Sequence, residues 1–149
     1  MIVVGVDGTS ASHAALDFAV REGARRGSVI EVVTAWAWAG PSLTGVPLLS
    51  RHEDGRPTAQ AIQDAAIAQV IQRVRHSPVL SRRVVHGDAV QELVHAASVA
   101  EYLVVGSARR QTLRRAMLGS VSEACLRLAG CPVVVTPHPS HRSSLDQAS

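Results

Sequence analysis

Short apolar segments alternate with longer amphipathic segments along the whole chain. Five of the apolar segments are rich in β-branched residues, which is typical of buried parallel strands. They are residues 2–6, 29–36, 79–86, 102–105 and 133–136. The third is less apolar than the others, so we expect it at an edge of the sheet. Strands that alternate with helical segments predict an α/β fold with a parallel sheet and helices on both faces.

The segments between these strands carry apolar residues at helical spacing. Their apolar stripes are Ala15, Leu16, Ala19, Val20 and Gly23 in the first, Ile62, Ala66, Val70 and Val74 in the second, Val90, Leu93, Val94 and Ala97 in the third, and the segment SVSEACLRL in the fourth. Thr9 or Ser10 is predicted to cap the first helix, and Asp88 the third, because short polar side chains accept hydrogen bonds from free backbone N–H groups. Gly27 is the expected C-cap of the first helix.

Residues 37–57 show no periodicity and accumulate glycine and proline. We predict a long loop here, and such loops are often lids over binding sites or mobile segments. The second helix is then expected to begin at Thr58 and to be broken by Pro78. The polar residues 138–149 predict a flexible tail after a single domain that spans residues 1–137.

Length and hydropathy limit the class of protein. A chain of 149 residues is the size of one ordinary domain. No apolar run approaches the roughly 18 residues of a membrane span. Met1 leads directly into a strand-like segment without a basic region or cleavage site, so we expect a cytoplasmic protein that does not bind a membrane.

Composition excludes several kinds of chemistry. The 15 basic residues are all arginine, which excludes the P-loop lysine and lysine Schiff bases. Aromatic residues make up 3% of the chain and offer little to stack on single-stranded bases, so we expect no nucleic-acid binding. Cys125 and Cys131 form no CxxC pair and are predicted to be two buried free thiols. The histidines form no metal-ligand pattern, and we predict no metal site built by the protein alone and no catalytic set.

The segment from Tyr102 to Ser122 brings together the features of an anion site. Gly106 closes the fourth strand, and Gly119-Ser120 opens the fourth helix after an intervening polar and basic segment. Ser120 and Glu123 have the spacing of a capping box, and Gly130 is expected to end the helix. Free N–H groups and the positive end of a helix dipole both favour a phosphate at such a position, although Ser120 could serve only as a cap.

This segment resembles the nucleotide-binding branch of the universal stress protein family. The family motif is Gly, two residues, Gly, nine residues, and Gly followed by Ser or Thr. Gly106, Arg109 and Gly119-Ser120 keep that spacing, with arginine at the second glycine position. The resemblance extends from IVVGVDGT to CPVVVTP. It implies a Rossmann-like, doubly wound, five-stranded parallel sheet of order 3-2-1-4-5. Ligands bind such sheets where the strand order reverses, here beside Asp7 and Gly106.

The resemblance also implies a ligand and the residues that bind it. Universal stress proteins of this branch hold ATP, and Mg²⁺ would bridge the phosphate oxygens. By position, the nucleotide-binding residues would be Gly5, Val6, Asp7, Ala35, Val105, Gly106, Arg109, Gly119, Ser120, Val121 and Ser122. The first three would lie by the adenine and ribose, Ala35 would offer backbone hydrogen bonds to the adenine edge, and residues 119–122 would bind the phosphates. The implied role is that of a sensor or regulator with little or no catalysis.

Arg109 leaves two hypotheses open. Glycine at this position suggests a positive φ or a close approach to phosphate, and an arginine side chain interferes with both. An arginine can also bind phosphate with two hydrogen bonds. The chain is therefore either an adenine-nucleotide-binding protein with Arg109 in its phosphate site, or a protein-interaction module that has lost its nucleotide and binds an unknown protein partner. A third possibility, ATP hydrolysis, has only Asp7 as an obvious base.

Family likeness and edge-strand chemistry together predict a homodimer through residues 133–136. An apolar edge strand has to be paired or covered. Pro137 would stop the pairing from extending.

Overall fold

A computed structural model of the chain describes residues 1–37, 55–107 and 118–137. Strands and helices alternate regularly through these ranges. In chain order the elements are β1 (Ile2–Gly5), α1 (Ser10–Arg26), β2 (Ile30–Trp36), α2 (Arg56–Ile71), β3 (Leu80–His86), α3 (Ala89–Ala97), β4 (Tyr102–Gly106), α4 (Ser120–Leu128) and β5 (Val133–Thr136). The strand boundaries lie within one residue of the predicted ones.

The strands form one parallel sheet in the order β3-β2-β1-β4-β5. The predicted α/β class and strand order are therefore confirmed. β3 lies at one edge, as its lower apolar content predicted, and β5 lies at the other. The order reverses at β1, which pairs with β2 on one side and with β4 on the other. This reversal creates a crevice outside the carboxyl ends of β1 and β4.

The core is divided by the sheet into two apolar layers. Alternate strand residues point to opposite faces, so Ile2 and Val4 pack with α1 and α2, whereas Val3 packs with α3 and α4. Leu16 and Ile67 fill the first layer, and both are fully buried. Because both faces of the central strands β1 and β4 are covered, these two strands are continuous apolar runs rather than alternating ones.

One buried side chain, that of Gln63 on α2, is polar and was not predicted to be in the core. It is 1% exposed, and its Nε2 atom lies 3.1 Å from the Val32 carbonyl oxygen, 3.1 Å from Thr34 Oγ1 and 3.2 Å from the Arg83 carbonyl oxygen. Of the apolar stripe predicted for this helix, Ala66 and Val70 are buried, whereas Ile62, next to Gln63, is only half-buried. Gln63 therefore fastens α2 to β2 and β3 by polar contacts inside the apolar layer.

The helix ends agree with the sequence at three positions. Thr9 caps α1 by accepting a hydrogen bond from the Ser12 N–H, and Asp88 caps α3 through the Gln91 N–H. Gly27 ends α1 in the left-handed conformation, with φ of 69°, which glycine adopts without steric cost. These ends were predictable because caps are local in sequence.

Three other helix ends were predicted wrongly. α2 begins at Arg56, two residues before Thr58, because Pro57 can occupy the first turn, where no N–H partner is needed. It also ends at Ile71, well short of Pro78. The C-cap of α4 is Ala129 in an extended conformation, so the helix ends before Gly130, which has no positive φ. The chain extends at once towards β5 and needs no left-handed turn there.

The two thiols differ in burial. Cys125 on α4 is buried, as predicted, whereas Cys131, just before β5, is only half-buried, and both are free. The prediction of two buried thiols was therefore wrong for Cys131, which lies at the amino end of an edge strand that α4 covers only in part. None of the helices in the described ranges is long and apolar enough to cross a membrane.

Candidate functional site

A crevice of about 490 Å³ opens at the carboxyl ends of β1 and β4, where the strand order reverses. Its lining residues come from β1, β2, β4, the loop between β1 and α1, and the N-terminal halves of α1, α3 and α4. They are Gly5, Val6, Asp7, Thr9, Ser10, Ala11, Ser12, Val33, Ala35, Ala89, Leu93, Val105, Gly106, Gly119, Ser120, Val121 and Ser122. One side of the crevice is apolar, and the other is rich in hydroxyl and backbone N–H groups.

A compact hydrogen-bond network follows β1 and leads into α1. The Thr9 backbone N–H and hydroxyl both donate to Asp7 Oδ1, at 3.0 and 2.6 Å. The Ser12 hydroxyl donates to the Thr9 carbonyl oxygen at 2.9 Å and accepts from the Asp7 N–H at 3.3 Å. The Thr9 hydroxyl in turn accepts from the Ser12 N–H at 3.2 Å. These contacts fix the turn and hold the Asp7 carboxylate at the mouth of the crevice.

The same network keeps Asp7 ionised. Burial is the largest single influence on the Asp7 carboxyl and favours its neutral form, but the surrounding hydrogen bonds, those donated by Thr9 first, together outweigh it and lower the pKa of Asp7 below its ordinary value. Asp7 is the only charged residue among the described residues that line the crevice. An ionised carboxylate only accepts hydrogen bonds, so Asp7 suits the donor groups of a ligand and repels a phosphate.

Gly106 allows β4 to approach α1 closely. A Cβ atom on Gly106 would lie 2.4 Å from both the backbone carbon and the carbonyl oxygen of Ala11. The Gly106 carbonyl oxygen also accepts a hydrogen bond of 3.0 Å from the Ser122 hydroxyl. β4 is thereby packed against the first turn of α1 and tied to the first turn of α4. The absence of a side chain at Gly106 keeps the floor of the crevice open.

The first turn of α4 has backbone N–H groups that no side chain caps. Gly119 is the N-cap, with φ of −68° and ψ of 161°, and the helix has no side-chain cap hydrogen bond. The predicted capping box between Ser120 and Glu123 is therefore wrong, because Ser120 is already the first helical residue. Its side chain is exposed in the crevice, whereas Ser122 is buried and its hydroxyl is already bonded to Gly106.

The three helices whose N-termini line the crevice differ in how they are capped. Thr9 caps α1 and Asp88 caps α3, each by accepting a hydrogen bond from a first-turn N–H group with a side-chain oxygen. α4 alone among these three begins with a glycine, and in the part of the chain that the structure describes its N-cap provides no side-chain hydrogen bond to the first-turn N–H groups. All three dipoles point their positive ends towards the same opening. The strongest anion-binding position is therefore at the first turn of α4.

The opposite side of the crevice is apolar. Val33 and Ala35 of β2, Ala89 and Leu93 of α3, and Val105 of β4 form this surface. Leu93 is 5% exposed, and its methyl groups lie 3.1 Å from the position that a Cβ atom on Gly5 would occupy. A flat aromatic base fits such a surface, and the strand backbones beside it supply hydrogen-bonding groups.

The structure brings together ten of the eleven residues predicted for the nucleotide site. Arg109, the eleventh, lies outside the described residues. The sequence did not indicate seven further lining residues, namely Thr9, Ser10, Ala11, Ser12, Val33, Ala89 and Leu93. A signal existed for Thr9, because a residue that caps the helix after the first strand has to lie at the same end of the sheet as Asp7. No signal existed for Leu93, whose place depends on how α3 packs against the sheet.

The described residues contain no group of three or more His, Cys, Asp or Glu side chains that could hold a metal ion. Asp7 is the one carboxylate among the described residues that line the crevice, and one of its oxygens already accepts two hydrogen bonds. A divalent cation at this site would therefore have to take most of its ligands from phosphate oxygens and water.

The fold and the crevice together define an open, doubly wound α/β protein with a ligand crevice at its switch point. The model of the universal stress protein family matches residues 1–137, and the chain belongs to that family. It is 33% identical over 140 residues to universal stress protein Rv2005c of Mycobacterium tuberculosis. That match covers 90% of the chain but only 44% of the relative, so the chain spans less than half of that protein's length.

Two solved structures are similar in fold. A universal stress protein in complex with cAMP has a TM-score of 0.70 and 25% identity, and the match covers 92% of this chain and 95% of the other. The universal stress protein from Archaeoglobus fulgidus in complex with dAMP has a TM-score of 0.63 and 22% identity over 90% and 94% of the two chains. At that identity, the second similarity concerns the fold alone.

Proposed function

We propose that this protein binds ATP or a related adenine nucleotide in the crevice and acts as a sensor or regulator with little or no catalysis. The observation that carries the proposal is the uncapped first turn of α4, which faces the crevice opposite the apolar surface that ends β2 and β4. A nucleotide has a matching division between a charged phosphate and a flat base. Support comes from the family and from the cAMP complex of the similar structure.

Each part of the ligand has a proposed position. The phosphates would lie on the N–H groups of Gly119, Ser120 and Val121, with the Ser120 hydroxyl as a further donor. The base would lie against Val33 and Ala35, and the ribose would lie between the two ends, close to Asp7. In this arrangement Ser122 acts through its bond to Gly106 and shapes the site, rather than donating its hydroxyl to phosphate. Mg²⁺ would accompany a nucleotide with two or three phosphates.

Arg109 follows the end of β4 in the sequence and remains a proposed phosphate contact. A second candidate function, a protein-interaction module without nucleotide, is favoured by this one residue, because glycine is the family's residue at that position. The chain also spans under half the length of the relative described above, so partners and activities of that longer protein do not carry over directly. The Arg109→Gly variant separates the two functions.

The expected result for the native protein is binding of an adenine nucleotide in the micromolar range. The first measurement is mass spectrometry of the small molecules released when the purified protein is denatured. Calorimetric titration with AMP, cAMP and ATP, with and without Mg²⁺, then ranks the ligands. If Arg109 is a phosphate ligand, Arg109→Gly binds ATP more weakly, by about tenfold for a charge-assisted pair.

A rise in ATP affinity in Arg109→Gly would instead make the native arginine a steric block. Binding of no adenine nucleotide by either protein would favour the interaction module. Ser81→Gly serves as a matched control, because Ser81 is exposed on β3, away from the crevice, and its replacement should leave nucleotide affinity unchanged.

We also propose that two copies associate through β5. Its residues Val133, Val134 and Val135 are only half-buried, and one side of the strand has no partner in the described part of the sheet. A wide groove beside it, formed by the exposed face of α1 and part of α2, contains the exposed ring of Phe18. An apolar edge strand has to be paired or covered to avoid aggregation.

Sedimentation equilibrium is expected to give twice the chain mass of 15.7 kDa at micromolar protein. Mixing copies with two different tags should then yield a mixed dimer that is captured through either tag. A species of single-chain mass at the same concentration would contradict the proposal. We further propose a domain boundary at residue 137 and a cytoplasmic location.

A further inference from the structure

We propose that Thr9 is a positioning residue for nucleotide binding: it holds the Asp7 carboxylate by one oxygen, so that the other oxygen accepts a hydrogen bond from the nucleoside part of the ligand. This inference rests on the proposed function. Thr9 lines the crevice beside Asp7, but its hydroxyl is fully engaged, since it donates to Asp7 Oδ1 and accepts from the Ser12 N–H. Thr9 therefore has no hydrogen left for the ligand.

The geometry divides the two oxygens of Asp7 between the protein and the ligand. Both hydrogen bonds from Thr9 end on Oδ1, at 3.0 and 2.6 Å, and neither reaches Oδ2. A carboxylate that accepts hydrogen bonds on one oxygen from both a backbone N–H and a hydroxyl cannot rotate freely. The direction of Oδ2 is therefore fixed. Preorganisation of this kind improves binding because less side-chain freedom is lost when the ligand arrives.

The charge of Asp7 depends on the same contacts. The hydrogen bonds from Thr9 lower the pKa of Asp7, whereas burial favours the neutral carboxylic acid. The other described residues that face Asp7 across the crevice, from β2, α3, β4 and α4, carry no charge that could replace those bonds. The arginines between β4 and α4 lie outside the described residues; they are Arg109, Arg110, Arg114 and Arg115. Loss of the Thr9 hydroxyl should therefore raise the pKa of Asp7.

Because an ionised carboxylate can only accept hydrogen bonds, Asp7 requires a ligand group that donates one. Nucleosides offer two kinds of donor in this part of the site, the ribose hydroxyls and the exocyclic amine of adenine. Both are satisfied by an ionised carboxylate, and neither is satisfied equally by a neutral carboxyl group. cAMP retains the 2′-hydroxyl and the amine, so comparing cAMP with its 2′-deoxy form tests the hydroxyl, and comparing it with cyclic inosine monophosphate tests the amine.

The main experiment is a calorimetric pH series with cAMP, whose phosphodiester has no second ionisation near the roughly 6 of a phosphate monoester. The native protein should bind cAMP with an affinity that changes less than about twofold between about pH 7.5 and 4.5, because Asp7 stays ionised throughout. Thr9→Val keeps the shape and the backbone N–H bond but removes the hydroxyl. Its affinity should fall by about tenfold over the same range.

Two further variants separate positioning from simple stability. Thr9→Ser retains the hydroxyl and should restore the native pH profile. Asp88→Ala removes the corresponding cap of α3, without touching Asp7, and should lower the melting temperature while leaving the pH profile as in the native protein. Carbon-13 NMR of the Asp7 carboxyl in the ligand-free native and Thr9→Val proteins provides a readout that does not require nucleotide.

The possible outcomes distinguish the inference from the proposed function. If the native protein binds no adenine nucleotide, the proposed function fails and this inference fails with it. If the native protein binds cAMP and Thr9→Val shows the same pH profile and the same Asp7 titration, only the role of Thr9 is overturned. A shifted profile that Thr9→Ser restores and Asp88→Ala does not reproduce supports the inference.

Discussion

Replacement of Gly106 by alanine is expected to destabilise the protein by about 3 kcal/mol, the upper end of the usual cost of overpacking. The added Cβ atom would lie 2.4 Å from two backbone atoms of Ala11 in the first turn of α1. A flexible side chain could move away from such a contact, but the backbone of a buried helix turn cannot move without shifting α1. Urea unfolding of the native and variant proteins measures the effect.

The same variant should also lose its response to nucleotide. A shift of α1 away from β4 moves Asp7, Thr9 and Ser12 relative to the first turn of α4. One nucleotide could then no longer contact the proposed base position and the proposed phosphate position at the same time. The melting temperature of the native protein should rise with nucleotide concentration, as for any ligand that binds only the folded state, and that of Gly106→Ala should not.

Gly130→Ala is the matched control for the steric argument. Apart from its two chain neighbours, no atom of the described residues lies within 4 Å of the position that its Cβ would take, and its φ is not positive. Its stability should differ from that of the native protein by less than about 0.5 kcal/mol. A Gly106→Ala protein as stable as the Gly130→Ala protein would show that β4 and α1 are not packed as closely as described.

Replacement of Gln63 by glutamate is expected to cost about 3 kcal/mol at neutral pH, because a buried group loses its hydrogen bonds and becomes ionisable. In the native protein the Nε2 group lies among three oxygen atoms, those of the Val32 and Arg83 carbonyls and the Thr34 hydroxyl. A carboxylate oxygen in the same place would repel the two carbonyl oxygens and could accept only from Thr34. Chemical unfolding at several pH values measures the loss.

The pH dependence has a definite sign. Burial favours the neutral form of the introduced carboxyl, so its pKa in the folded state is raised above the unfolded value of about 4.3. The variant is therefore closest to native stability below that unfolded value, and it loses stability as the pH rises from there to the raised folded pKa. Gln60→Glu, at an exposed position of the same helix, should show almost no such loss. Equal effects at the two positions would contradict a buried network at Gln63.

Local features of the chain were predictable without a structure. The caps at Thr9, Asp88 and Gly27 depend on a few neighbouring residues, and each was found where the sequence indicated it. The parallel sheet followed from apolar segments of strand length alternating with amphipathic segments. The strand order 3-2-1-4-5 came from family resemblance, because periodicity states which residues are buried and does not state which strands are neighbours.

The candidate site also has parts that the sequence predicted and parts that it did not. Asp7, Gly106 and Gly119 were predicted because they follow strands or begin a helix at one end of a parallel sheet, and their spacing matched a family motif. The capping box at Ser120 was predicted from spacing alone and was wrong, since a helix start can move by one residue without any change in the motif. This shift of one residue decides whether the Ser120 hydroxyl caps α4 or lines the crevice.

By itself, then, the sequence determined the α/β class, the positions of most elements and the end of the sheet at which a ligand would bind. These properties depend on residues close together in the chain, whose hydrophobic period and capping chemistry act locally. Only the tertiary structure decided that Gln63 is a buried polar contact, that Gly106 lies against the backbone of Ala11, and that three helix N-termini, of which one is uncapped, meet at one crevice. Such contacts join residues tens of positions apart, and their geometry depends on how the helices pack on the sheet.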